Sequence, residues 1–265
     1  EEEIQVKANP LGKPDWDNPP LTLVTSFVGR DRELAILERL LRKRDVRLVT
    51  LAGPGGIGKT RLSVELAARL NDPQLFPDGI HFVDLEPIDN PEFVASAIAQ
   101  TVGIREKPGE DLLSSLKRFL YGKTLMFVLD NFEHVTSAAN QVLEILKASH
   151  GVKCLITSRE RLDLYGEHNL EIPPLSLAAP PAPTQSEAVQ LFIERAQAVN
   201  PHFEPGAEDI SVVQQICDRL EGLPLAIELA AVNSRIFAPP ELLKRLEHRL
   251  KALVNGQSDL PARHR

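Results

Sequence analysis

The sequence predicts an α/β fold, a five-stranded parallel sheet covered by helices on both faces and followed by a small all-helical domain. Three observations predict it. Five short apolar runs alternate with helix-like stretches through residues 47–172; a glycine-rich loop joins the first run to the next helix; and a proline-rich break precedes a C-terminal part without strand chemistry. Strands that alternate with helices pair through crossovers, and the crossovers lay helices against both faces of a parallel sheet.

The elements follow in chain order. Residues 1–26 carry prolines and mixed charges without periodicity and read as an extended tail or linker. The stretch 31–44, "DRELAILERLLRKR", sets Leu34, Leu37 and Leu41 on one helical face. The strand-like runs are "RLVTLA" (47–52), "IHFVDL" (80–85), "TLMFVLD" (124–130), "VKCLIT" (152–157) and a weaker "HNLEI" (168–172). Helical patterns at 61–70, 91–102, 111–120 and 136–149 separate most of them. After "PPLSLAAPPAPTQ" (173–185) come four further helical stretches, 186–199, 208–220, 225–234 and 240–253. The expected domains are therefore 27–178 and 179–265.

Composition bounds the function. The chain has 265 residues, 43% hydrophobic and 25% charged, as in ordinary globular domains. A net charge of −7 argues against a broad nucleic-acid surface, so "RLLRKRDVR" (39–47) reads as the wet face and end of a helix. No apolar stretch approaches the ~18–20 residues of a membrane-spanning helix. The first residues lack the basic and apolar regions of a signal peptide, and the expected location is the cytoplasm. The two cysteines, Cys154 and Cys217, have no metal-ligand spacing, which suits a reducing compartment.

The chemistry is concentrated in Gly53-Pro54-Gly55-Gly56-Ile57-Gly58-Lys59-Thr60. It fits G-x-x-x-x-G-K-[ST] between a strand and a helix, the context that motif requires, and makes the fold that of a P-loop NTPase. Glycines let the backbone curl around phosphate oxygens, and the helix N-terminus adds partial positive charge. In this motif Lys59 reaches the β- and γ-phosphates and the Thr60 hydroxyl ligates Mg²⁺. Asp130 ends a later core strand, where such proteins hold the ion from the neighbouring strand. Arg159 follows another core strand, at the sheet end that faces ligand in parallel sheets. It reads as a γ-phosphate contact or, alternatively, as a surface salt bridge.

"TSFVGRDREL" (25–34) and "EGLPLAIELAA" (221–231), taken with these motifs, resemble the NB-ARC branch of the STAND signal-transduction ATPases, from about Phe27 to Arg265. That branch includes plant disease-resistance proteins, apoptotic protease-activating factors and bacterial regulators. The resemblance implies adenine contacts from Phe27, Val28, Gly29, Pro224 and Leu225. It implies phosphate binding by Gly53 to Arg61, with Gly53, Gly55, Gly56, Ile57, Gly58, Lys59, Thr60 and Arg61 taking part. Thr60 and Asp130 would hold magnesium, and Arg159 would sense the γ-phosphate. It further implies a switch, closed with ADP and open and self-associating with ATP, flanked by an upstream effector domain and by downstream winged-helix and sensor domains. The end, "DLPARHR", resembles the entry to that winged helix.

One position departs from the family. A second acid commonly follows the magnesium aspartate and polarises the attacking water; here it is Asn131, an amide that takes no proton. Glu133 and His134 are the nearby substitutes, and each is equally a helix-start residue. The expectation is a nucleotide switch with slow hydrolysis. An ATPase motor of the same class is the alternative, and a kinase on the same loop would need a substrate pocket and lid in place of the helical tail.

Overall fold

The computed structural model describes residues 25–105, 111–177 and 186–256, with side chains through residue 248. The expected tail up to residue 24, the expected boundary at 178/179 and the terminal "DLPARHR" lie outside the described residues. Chain contacts divide the protein into two compact units; the second begins at Pro173 and also takes in Gly56–Gly58.

In the first unit, β1 (Leu48–Ala52) is buried at every residue, as a strand covered on both faces must be. It belongs to a sheet ordered β2 (Ile80–Asp84), β3 (Thr124–Asp130), β4 (Gly151–Ser158), β1, β5 (Glu167–Glu171). Every pairing is parallel. The faintness of "HNLEI" has a physical reason: β5 is an edge strand with no fully buried residue, so it has little apolar pattern to show.

Alternate residues of the strands face opposite helical layers. Leu48, Leu125, Phe127, Leu129, Cys154 and Ile156 form one core with residues of α3 (Val94–Thr101), α4 (Leu112–Leu120) and α5 (Ala139–Ala148). Their neighbours Val49, Leu51, Met126, Val128 and Leu155 are equally buried. On β3 and β4 packs α2 (Lys59–Leu70), and α1 (Asp31–Arg42) packs on α2 with Leu34, Leu37 and Leu41 buried. The helices expected over 91–102 and 136–149 each begin instead as a 3₁₀ turn, Pro91–Phe93 and Thr136–Ala138. At the first, Asn90 accepts a hydrogen bond from Glu92 N and proline fixes the turn.

A lysine in the core strand "VKCLIT" is also accounted for. Lys153 Nζ donates to Val46 O at 2.7 Å and to Lys43 O, carbonyls of the segment between α1 and β1. Burial pushes its pKa down to about 8, so the ammonium is tolerated only because these acceptors replace water.

The second unit contains α6 (Glu187–Val199), α7 (Ala207–Arg219), α8 (Pro224–Val232) and α9 (Pro239–Gly256). Ser186 caps α6 by accepting from Val189 N. Phe192, Val213, Ile216, Cys217, Ile227 and Ala231 are buried together with little or no exposure, and Arg195 on α6 binds Glu228 on α8 at 2.9 Å. The turn before α8 explains "EGLPL". Gly222 has φ 68°, and a Cβ there would lie 2.5 Å from Leu175 O, so only glycine fits. Pro224 then starts α8, where its missing N–H costs nothing.

Candidate functional site

The glycine loop leaves the carboxyl end of β1 and feeds directly into α2, whose first residue is Lys59. Gly56 and Gly58 have φ of 75° and 92°, the left-handed region that lets the chain curl back on itself. Lys59 is 93% buried, and its Nζ donates to the loop's own carbonyls, Gly53 O at 2.8 Å and Pro54 O at 3.1 Å. Burial lowers its pKa, Glu133 and Asp130 oppose that, and Arg159 adds to it. A cation thus closes a ring of backbone, the arrangement into which an anion fits.

Next to Lys59, the Thr60 hydroxyl donates to Asp130, 2.9 Å from each carboxylate oxygen. Asp130 ends β3 and is 97% buried. Thr157 on β4 donates to the same carboxylate at 2.6 Å, and Asn131 Nδ2 does so at 3.3 Å. Burial pushes Asp130 above the usual carboxylate range; hydrogen bonds from Thr157 and Thr60 pull it down, and the charges of Asp84 and Glu133 push it further up. Neutral hydroxyls satisfy the oxygens without balancing the charge, so the carboxylate is poised to gain from a cation.

That imbalance has a consequence for stability. Because the folded pKa is raised, the ionised carboxylate opposes folding at neutral pH, and the penalty disappears in acid below the unfolded value. Without nucleotide or metal, Asp130→Asn is expected to raise Tm at pH 7, by about 2–4 °C per kcal/mol gained, and to lose the advantage near pH 4. Melting curves at the two pH values check this; a lower Tm at pH 7 would overturn it.

Asn131 has left-handed backbone, φ 60°, which asparagine tolerates better than most residues. Its N–H donates to Thr157 Oγ1 at 2.9 Å. Glu133 lies in the 3₁₀ turn Phe132–His134, and its Oε1 accepts from Arg159 Nε at 3.2 Å. Arg159 therefore does form a salt bridge, from the residue after β4 and not from a helix surface. Its carbonyl also accepts from Gly53 N at 3.3 Å, tying it to the start of the glycine loop. His134 is exposed.

Arg61 follows Thr60 in the first turn of α2. Its guanidinium donates to Thr25 Oγ1 at 2.6 Å and to Thr25 O and Ser26 O, anchoring the segment that continues into Phe27, Val28 and Gly29. Those three residues are half-buried, and Gly29 and Arg30 have φ of 70° and 67° where the chain turns into α1. Gly55 is exposed and Ile57 buried. In the second unit, Pro224 and Leu225 open α8, with Leu225 half exposed.

The structure thus gathers Gly53, Lys59, Thr60, Asp130, Asn131, Glu133 and Arg159 at the carboxyl ends of β1, β3 and β4. Two neighbours had no assigned role in the sequence. Thr157 is the second hydroxyl on Asp130, and Asp84 is paired in register with Asp130 from β2. The strand-end position of Asp84 in "FVDL" was the available signal. Among the described residues, no helix is long and apolar enough to cross a membrane.

The NB-ARC domain model matches residues 31–168. A putative HTH-type transcriptional regulator of Mycobacterium tuberculosis is 39% identical over 211 residues, covering 79% of this chain and 23% of that protein. The chain thus spans about a quarter of the length of this curated relative. Among solved structures, the Aeropyrum pernix ORC2 protein, in ADPNP and ADP complexes, matches at a TM-score of 0.56 with 17% identity over 84% of this chain and 68% of that one. A STAND protein with a tetratricopeptide repeat sensor from Pyrococcus horikoshii matches at a TM-score of 0.50 with 18% identity, over 84% of this chain and 32% of that one. At these identities the two structures speak for the fold alone.

Proposed function

This chain belongs to the NB-ARC domain family, and from that premise we propose that it is the adenine-nucleotide switch of a larger regulator. ADP holds a closed state, ATP favours an open, self-associating one, and hydrolysis is slow. The observation that carries the reading is the Thr60–Asp130 contact beside the glycine loop closed by Lys59. It sets an anion cradle and a buried, uncompensated carboxylate side by side, the two halves of a magnesium–nucleotide site.

Thr60 Oγ1 and the Asp130 carboxylate fit magnesium: both are hard oxygen donors, and Mg²⁺ is usually held by one or two such groups together with phosphates. The ion would supply charge neutralisation between the phosphates. The protein's own part is to hold the phosphates through the loop amides and Lys59, and to place the adenine against Phe27, Val28 and Gly29. Pro224 and Leu225 are the proposed adenine contacts of the second unit. Anchoring of Thr25 and Ser26 by Arg61 supports the first of these placements, because it links the phosphate helix to the adenine segment.

A nucleotide shifts an equilibrium only through contacts that differ between states, and ATP differs from ADP by one phosphoryl group. Arg159 is the proposed reader of that group: it follows β4, its side chain is 63% exposed, and its backbone is bonded to the loop. The regulator role rests on the printed name of the mycobacterial relative, whose remaining length would hold the output.

Arg159→Ala is expected to weaken binding of a non-hydrolysable ATP analogue about tenfold more than binding of ADP, the worth of one charge-assisted contact at a partly exposed site. Calorimetric titration of both nucleotides with Mg²⁺ decides it. Equal losses for the two would remove Arg159 as the γ-phosphate reader.

A further inference from the structure

Two groups assigned separate tasks on the nucleotide are bonded to each other. Arg159 Nε lies 3.2 Å from Glu133 Oε1, across a sequence gap of 26 residues. The partners are unequal. The Arg159 side chain is 63% exposed, whereas that of Glu133 is 14% exposed and sits in the short turn after β3. Glu133 Oε2 is buried and, among the described residues, has no hydrogen-bond partner. One carboxylate oxygen is therefore held by an exposed cation, and the other is desolvated without compensation.

That is a poor arrangement for permanent stability. An exposed guanidinium gains little from such a pair, and an unsatisfied buried oxygen costs more than a surface pair returns. It is a good arrangement for an exchangeable one, because the guanidinium has a better partner available when a doubly charged phosphoryl group arrives. The location suits that exchange. Gly53 N donates to Arg159 O, so the start of the phosphate loop and the reader are one bond apart. The charges of Glu133 and Arg159 are both felt at Lys59, the cation of the same loop.

We propose that the Arg159–Glu133 pair is a latch displaced by the γ-phosphate: without that group Arg159 occupies Glu133, and its arrival draws the guanidinium away and frees the carboxylate. This rests on the nucleotide reading above and adds its regulation. Glu133, the carboxylate after Asp130 within "DNFEHV" that is a candidate to replace the missing acid at Asn131, is withheld until the nucleotide that needs it is bound. Glu133 is then a competitor in ATP binding as well as a candidate water-orienting group, and its removal should help ATP.

The test needs no hydrolysis. In the full 265-residue chain, affinities for ADP and for a non-hydrolysable ATP analogue are titrated with Mg²⁺ in wild type, Glu133→Gln, Arg159→Ala and the double variant. The quantity read is the ratio of the ATP-analogue affinity to the ADP affinity. Glu133→Gln is expected to raise that ratio about two- to fivefold, the range set by an exposed ion pair. In the Arg159→Ala background the same change should leave the ratio unaltered. An unchanged or lower ratio in the single variant overturns the latch. An equal rise in both backgrounds also overturns it, since Glu133 would then merely repel the phosphate. Failure of the wild type to bind either nucleotide would instead strike the nucleotide reading itself.

Discussion

Lys59→Ala is expected to weaken ADP binding about ten- to a hundredfold, the loss of hydrogen bonds from a charged donor to a phosphate. The magnitude follows from the lysine's surroundings. Its Nζ is buried and bonded to Gly53 O and Pro54 O, so the cation is positioned before any ligand arrives and little entropy is spent in fixing it. Burial has also lowered its pKa, which means the ammonium is short of compensation and gains from an anion. The variant should fold, because alanine is a favourable residue at the start of α2. Thermal shift provides a second readout. ADP at about a hundred times the wild-type Kd stabilises the wild type by about 2.7 kcal/mol, and the same concentration should stabilise the variant by only about 0.4–1.4 kcal/mol. Equal titration curves and equal shifts would sink the phosphate-loop assignment.

Much of this site is legible in the sequence because its central parts are local. Gly53 to Thr60 is one contiguous turn entering one helix, and each residue type has a reason that needs no neighbour. Asp130 is legible for a similar reason, as the polar end of an apolar strand. What could not be read depends on strand order. With the order β2-β3-β4-β1-β5, the end of β3 lies between those of β2 and β4, so Asp84 and Thr157 become neighbours of Asp130 from far along the chain. The same order brings Arg159 to Glu133. Arg61 shows a different limit. The resemblance implies a phosphate role for it, and nothing in the sequence shows that its guanidinium donates to Thr25 and Ser26. Gly222 reads as an ordinary turn glycine, and only the approach of Leu175 O reveals that no other residue fits.

Turnover is expected to be slow and to remain slow when the apparent departure from the family is repaired. A typical enzyme runs at about 10 per second, and a positioned general base contributes about 10²–10⁴-fold. Neither group is a ready base: Asn131 takes no proton, and Glu133 becomes available only after the exchange of Arg159 onto the γ-phosphate, a step that precedes hydrolysis. Asn131 is an amide whose Nδ2 is spent on Asp130 at 3.3 Å, and Glu133 is held by Arg159. The wild type should therefore release phosphate well below one per second. An Asn131→Asp variant places a second carboxylate where the amide donated, beside an Asp130 already pushed up by burial and by two negative neighbours. Like charges at that separation raise one another's pKa, so the new group would be a poorly ionised base and would weaken the magnesium site it adjoins. The variant should stay within about tenfold of the wild type, far short of the gain a working base gives. Steady-state phosphate release at saturating ATP and Mg²⁺ measures both rates. Several turnovers per second in the wild type would reject the slow switch and make Glu133 a working base. An acceleration of a hundredfold or more in Asn131→Asp would show that the amide alone limits the reaction, and that the Asp130 pocket accommodates a second charge.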